Sequence, residues 1–494
     1  MFSLQIYHIK AYGMRLSKLL SINSLSLLLF FKAINMIKNL YGLFFLGLFF
    51  ISCNNSEKSE PAGSGTEEVN LVDGHPGWLQ QGNIYEVNVR QYTPEGTFKA
   101  FQAHLPRLKE MGVQTLWFMP IQPIGREGRK GILGSYYAIS DYRTVNPEFG
   151  SMDDWKALVK AIHDLDMKVI IDWVPNHTAP DHPWVKAHPE FYIRDSVTGI
   201  PVHQPGTDWT DTRKLDFKNE RIADSMIAVM KYWVTETGID GYRCDHAQGQ
   251  GEAFWKKCNA ELKSLNKGLL MLAEAEDEWV YDAGFDMSYG WKFFHKAVSV
   301  AAGRRPANAL DSVLNEWDSV FPPTATFLHF TSNHDENSWN KADYGTMPGA
   351  SHAPFAVLTQ TIKQSVPLIY SGQEEPVLDS ISFFYKDTIS FSRLERAAFY
   401  KTLLHLRKNN KALSANASFK KIKTDHDQSM YVFEREKEGH KVLVLLNLSN
   451  ESIIFRWNDQ PSAAEWINVF SGAKEPVMKI AGIEPWGYAV YEIR

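Results

Sequence analysis

The chain is poor in cysteine, carries no excess of basic residues and, past its first fifty residues, has no long apolar run. With only three Cys in 494 residues, a disulfide-stapled fold is excluded. Cys244 and Cys258 lack the Cys-x-x-Cys spacing of a redox or zinc pair and read as small buried hydrophobes. Lys plus Arg number 52 against 57 Asp plus Glu, a net charge of -5, which argues against a nucleic-acid partner. The confinement of apolar runs to the N-terminus excludes a polytopic membrane protein. What is present is an ordinary globular share of apolar residues, 44%, together with 15 Trp and 20 Tyr. Those rings pack cores and also stack on sugars, and packing is the commoner use. At roughly 100 to 200 residues per domain, the length allows two to four domains.

The N-terminus reads as an export signal. From Met36 a basic start, Met-Ile-Lys-Asn, leads into an apolar stretch at 40–51 that is signal-peptide length and too short to span a bilayer. It ends in Phe-Ile-Ser-Cys, which resembles a bacterial lipobox and makes Cys53 the expected lipidation site. Residues 1–52 are therefore expected to be removed, with Met36 as the true start and 1–35 an upstream extension. They hold four Lys, one Arg and no acid, so the remaining chain carries a net -10, which disfavours anionic partners. The segment 53–76 is rich in Ser, Glu, Gly and Asn and reads as a solvated tether. The expected location is outside the cytoplasm, on a membrane through the lipid alone.

Beyond the tether, short β-branched or apolar runs alternate with helical stretches. Strands are expected at 84–89, 115–119, 168–173, 239–244, 269–273, 326–330 and 367–370, with a poorly marked one near 285–287. Helices are expected at 98–111, 152–165, 219–236, 251–265 and 395–408. This alternation over 77–409 argues for an α/β fold with a parallel sheet closed into a (β/α)8 barrel. The stretch 178–217 breaks the pattern with Pro, His, Trp and Asp and reads as an excursion after the third strand. Because it is short, the cleft above the barrel is expected to be open. Past residue 410 the pattern becomes alternating strands, a C-terminal antiparallel β-sandwich.

Carboxylates follow four of the strands. The third is followed by Asp172-Trp173-Val174-Pro175-Asn176-His177, the fourth ends in Gly241-Tyr242-Arg243-Cys244-Asp245, the fifth leads into Glu274-Ala275-Glu276-Asp277, and the seventh into Asn333-His334-Asp335. One acid after a strand is usually a helix cap. Four converging on one barrel mouth, with Arg243, His177 and His334, suit a cationic transition state that needs one protonated and one ionised carboxylate.

These four segments, with 112–121, 137–142 and 369–374, resemble the α-amylase superfamily, glycoside hydrolase family 13. They occur in the family's order, 73, 29 and 61 residues separating Asp172, Asp245, Glu274 and Asp335. The resemblance implies retaining hydrolysis of α-glucans such as starch, glycogen or malto-oligosaccharides. Asp245 would be the nucleophile, Glu274 the acid and base, with Glu276 its rival, and Asp335 the residue that holds the sugar hydroxyls. Arg243 would keep Asp245 ionised, Asp172 would orient Arg243, His177 and His334 would donate to hydroxyls, and Tyr137 would stack under the ring. No cofactor is required. Calcium-binding relatives pair the Asn of the first motif with an acid in the excursion; here Asn176 is present but Lys214 stands where that acid would fall, and an ammonium cannot ligate calcium. His246-Ala-Gln-Gly also departs from the family's usual continuation after the nucleophile. The same intermediate would allow transglycosylation or isomerisation, and a non-catalytic glucan-binding protein is the remaining alternative. A metal hydrolase built on His177, His182 and His188 lacks a compact ligand spacing.

Overall fold

The computed structural model describes residues 70–341, 347–376, 379–463, 465–476 and 482–493. The expected signal segment, Cys53 and most of the tether lie outside the described residues. Among the described residues no helix is long and apolar enough to cross a membrane. The tether's last residues are folded: Leu71–Val72 pairs with His75–Pro76, and the buried His75 lies 3.1 Å from Asp286.

Eight parallel strands close into a barrel in sequential order: β1 (Ile84–Val87), β2 (Thr115–Phe118), β3 (Lys168–Trp173), β4 (Gly241–Cys244), β5 (Leu270–Ala273), β6 (Met287–Tyr289), β7 (Phe327–His329) and β8 (Ser365–Tyr370). The expected (β/α)8 fold is thus observed. Each strand is buried on both faces, which is why these runs are apolar rather than alternating. Alternation survives in which side a residue faces. In β3, Val169, Ile171 and Trp173 pack with the surrounding helices, while Ile170 joins the interior cluster with Ile84 of β1 and Trp117 of β2. The same period places Glu86, Asp172 and Arg243 on interior positions near the strands' C-terminal ends. The register sets Asp172 directly beside Arg243.

The helices after β1 and β2 pack against the outside of the barrel. The expected helix at 98–111 is interrupted: Phe98–Gln102 and Leu105–Met111 are separate, because Pro106 has no N–H to bond the carbonyl of Gln102 and its ring would clash there. Met152–His163 is capped by a reciprocal Ser151–Asp154 box and buries Trp155, Leu158 and Ile162 against the barrel. Truncating a ring buried like Trp155 costs about 3–5 kcal/mol.

The C-terminal region is an antiparallel sheet of six strands in the order β9 (Ser418–Ile422), β10 (Met430–Lys437), β11 (His440–Asn447), β14 (Tyr488–Ile493), β12 (Trp466–Asn468) and β13 (Lys474–Glu475). Its two faces have different partners. Tyr431, Phe433, Val442, Val444 and Val490 share a core with the barrel helices, while Val432, Leu443, Leu445 and Trp466 pack under Ile453 and Phe455. The second layer is a two-stranded ribbon, Ile453–Ile454 with Gly482–Ile483.

Candidate active site

The parallel ladder continues one residue past the strands and so fixes two carboxylates. The Asp245 N–H donates to the Trp173 carbonyl at 2.8 Å, and the Glu274 N–H to the Cys244 carbonyl at 3.0 Å. Both side chains meet Arg243, which is wholly buried at the end of β4. Its Nη1 donates to Asp245 Oδ1 and to Asp172 Oδ1, each at 2.9 Å. Its Nη2 lies 2.9 Å from Glu274 Oε2, an ion pair out of line for a hydrogen bond. Its Nε donates to the Tyr289 hydroxyl at 3.1 Å. Asp172 also accepts from Trp117 Nε1 and the Tyr137 hydroxyl, so it orients Arg243 and is itself held from two further sides.

A second charged group forms at the start of the helix His334–Asn340. His334 is almost fully buried; its Nδ1 lies 2.6 Å from Glu86 Oε1, and its Nε2 lies 3.3 Å from Asp335 Oδ2 and 2.7 Å from the Tyr137 hydroxyl. Burial alone would lower the His334 pKa, but Asp335 and Glu86 overcome it and hold the pKa well above the ordinary value, so this ring is an imidazolium. Asp335 shows the converse: burial pushes its pKa up, His334 and Arg243 outweigh it, and the net shift is downward. His177 is also buried, and its pKa falls to about 3 through burial and the nearby Lys214 ammonium. It is a neutral ring whose Nε2, without a protein partner, lines the cavity.

For Asp245 the expectation was that Arg243 lowers its pKa. The net direction is upward: burial, then the Glu274 carboxylate, raise it, and Arg243 only partly offsets them, with Asp172 and Asp335 adding to the rise. The physical reason is stoichiometric. Arg243 is shared among Asp172, Asp245 and Glu274, so its one charge does not offset burial and the neighbouring carboxylates at Asp245.

All the expected side chains, Tyr137, His177, Asp245, Glu274, His334 and Asp335, line one cavity of about 680 Å³ at the barrel mouth, with Arg243 beneath its floor. Glu276 is elsewhere: it accepts from Trp317 Nε1 at 2.9 Å and from the Lys292 N–H at 2.7 Å, at the start of the helix Trp291–Ala301. His182 caps a short helix by accepting from the Trp184 N–H, and His188 lies against Glu190, so neither joins His177. Tyr137 stacks on His334 at 5.4 Å and on Phe383 at 6.2 Å. Sequence reasoning missed Glu86, Tyr289, Trp209, Trp339, Phe383 and Phe384. Glu86 alone had a signal, a charge inside the apolar strand Ile-Tyr-Glu-Val.

The residues do not fit a calcium ion. His177 and Lys214 face each other across a two-stranded ribbon, and Lys214 Nζ hydrogen-bonds Asn176 Oδ1, the oxygen a cation would need. Burial lowers the Lys214 pKa to about 8. Gly249 leaves room for this pair, since a Cβ there would lie 2.4 Å from Asn176 Oδ1.

Residues 53–200 and 202–443 match the family model for the alpha amylase catalytic domain. The chain belongs to that family. Alpha-amylase 3 of Dictyoglomus thermophilum is 23% identical over 451 residues, 78% of this chain and 88% of that protein. The alpha-1,4-glucan:maltose-1-phosphate maltosyltransferase of Mycolicibacterium smegmatis is 32% identical over 197 residues, 36% of this chain and 28% of that enzyme. Among solved structures of this α-amylase fold, the alpha-amylase of Lactobacillus plantarum superposes with a TM-score of 0.75 at 27% identity, covering 84% of this chain and 99% of that one. The maltogenic alpha-amylase AmyB of Thermotoga neapolitana gives 0.73 at 28% identity, covering 84% and 97%.

Proposed function

We propose that the protein is a retaining hydrolase of α-linked glucans, exported and held at a membrane by a lipid on Cys53, and that it needs no calcium. The observation that carries the catalytic reading is the sharing of one buried guanidinium by Asp245 and Glu274, which holds the two carboxylates together at the barrel mouth. In the reacting complex Glu274 carries the proton that it donates in a hydrogen bond to the glycosidic oxygen, and Asp245 is the carboxylate. Asp245 then attacks the anomeric carbon; the carbon–oxygen bond to the leaving sugar breaks as Glu274 gives that oxygen its proton. Glu274, now a base, takes a proton from water, which attacks the same carbon and frees Asp245. Asp335 and the neutral His177 hold the hydroxyls of the sugar being cleaved, and Tyr137 lies beneath its ring. The carboxylates around the site favour the positive charge that develops there.

The similarity to amylases, and to a maltosyltransferase over part of the chain, supports α-glucans as the substrate class. The test is digestion of maltoheptaose with products sized over time, alongside Asp245→Asn and Glu274→Gln. Shorter oligosaccharides from the wild type alone are expected. Products longer than the substrate would make the enzyme a transferase, with a sugar hydroxyl in place of water. Glu274→Gln is expected to lose far more activity on maltoheptaose than on an aryl glycoside whose leaving group needs no proton; equal losses would remove Glu274 from the acid's role.

A further inference from the structure

The loop between β2 and Tyr137 is joined to its neighbours on both flanks. On one flank the buried Arg90 lies 4.0 Å over the Tyr136 ring and donates to the carbonyls of Leu133 and Gly134, each at 3.1 Å, and of Phe383 at 3.3 Å. Arg90 therefore ties this loop to the loop after β8. The Leu133 N–H adds a bond to the Phe384 carbonyl at 3.1 Å. At Gly131, where φ is +61°, a Cβ would lie 2.6 Å from that of Phe384, so only glycine permits the approach. On the other flank the Arg126 N–H donates to Asp181 at 2.8 Å, and Lys130 Nζ bonds the Asp208 carbonyl and sits 3.1 Å from its carboxylate. Asp181 and Asp208 belong to the excursion. The three segments form one continuous rim.

That rim has a fixed position relative to the chemistry. The barrel order places the loops after β7, β8 and β2 on one arc and those after β4 and β5 on the other. Glu274 and His246 stand on the second arc, and Glu274 marks the side from which the leaving sugar departs. Asp335, Trp339, Tyr137, Phe383, Phe384 and Lys130 line the first. A glucan continuing from the sugar over Tyr137, away from Glu274, runs into the rim.

We propose that the site is a pocket blind at its glycone end, so that the enzyme shortens glucans from the non-reducing end instead of cutting within the chain. This rests on the retaining α-glucan reading above, and it replaces the open cleft expected from the short excursion. The excursion need not be long, because the loop after β2 bridges from it to the loop after β8.

Two substrates test the idea: maltoheptaose labelled at its reducing end with 2-aminopyridine, and the same molecule with a 4,6-O-ethylidene group on its non-reducing sugar. The unblocked compound is expected to be shortened with the label retained on the longer fragment. The blocked compound should react at least about a hundredfold more slowly, because the added group meets the closed end of the pocket. Comparable rates on both would overturn the blind pocket and leave the glucan reading intact. Silence on both would overturn the glucan reading and this proposal with it. In Lys130→Ala/Asp208→Ala the rim loses its exposed link, and turnover of the blocked compound is expected to rise relative to the unblocked one. An unchanged ratio would overturn the role of that link in the closure.

Discussion

Buried arginines stand at both ends of the barrel, and their surroundings differ. At the mouth, Arg243 faces carboxylates, and Asp172 and Glu274 draw its pKa well above the ordinary value against the effect of burial. At the base, Arg407 and Arg435 face, among the described residues, carbonyl oxygens: Arg407 bonds Gly82 at 2.7 Å, and Arg435 bonds Ser418 and Thr361 at 2.8 Å and Ile362 at 2.6 Å. Burial lowers both to about 9. A guanidinium on carbonyls acts as a stitch: Arg407 ties the helix Ala397–Asn409 to the base of the barrel, and Arg435 ties the C-terminal sheet to it. A guanidinium on several carboxylates gathers like charges that would otherwise separate, and it stores their repulsion where a positive charge is about to form. The difference separates residues kept for the reaction from residues kept for the fold.

The comparison can be broken by removing one member at a time. Asp245→Asn is expected to lose on the order of 10³-fold or more in kcat while melting no lower than the wild type, since it removes one of several crowded carboxylates. A Tm drop would show that the carboxylate supports the fold. Arg243→Gln should lose both, with about 3–5 kcal/mol of stability, because Asp172, Asp245 and Glu274 are left without their shared cation. Arg435→Met separates the two roles from the other side. Each buried carbonyl left without a donor costs roughly 1–3 kcal/mol, so denaturant melts should shift strongly while kcat per folded molecule holds. A kcat loss on the wild-type scale of Arg243→Gln would erase the distinction.

A pH series sharpens it further. The folded pKa of His334 lies above the unfolded value, so its contribution to stability is complete below about pH 6.5 and fades as pH rises toward the folded value. The Tm gap between wild type and His334→Gln should be widest in acid and narrow in alkali; a gap independent of pH would contradict the imidazolium. The smallest effect expected is for Glu276→Gln, within a few-fold of wild-type kcat, because Glu276 serves Trp317 and a helix start. A loss comparable to that of Glu274→Gln would return Glu276 to the site.

Much of this was legible in the sequence wherever a residue's place follows from strand period. The four strand-end segments bring Asp172, Arg243, Asp245, Glu274 and Asp335 to one mouth because each strand is short and the sheet is parallel. Strand β6 was hard to read because it is three residues long with a serine at its centre. The helix His352–Thr361 gave no helical period because it is buried on nearly every side. The rim and the aromatic wall were not legible, since Arg90, Trp339 and Phe383 meet across segments far apart in the chain. The sign of the Asp245 shift was also hidden, because it depends on how many carboxylates share Arg243, which only the folded arrangement reveals.

The most direct test of the account is the configuration of the first product. Proton NMR of a maltoheptaose digest, read before mutarotation, should show the α-anomer at the newly formed reducing end, as double displacement through Asp245 requires. The β-anomer appearing first would mean single displacement by water, and a shared-guanidinium pair acting as nucleophile and acid would be contradicted.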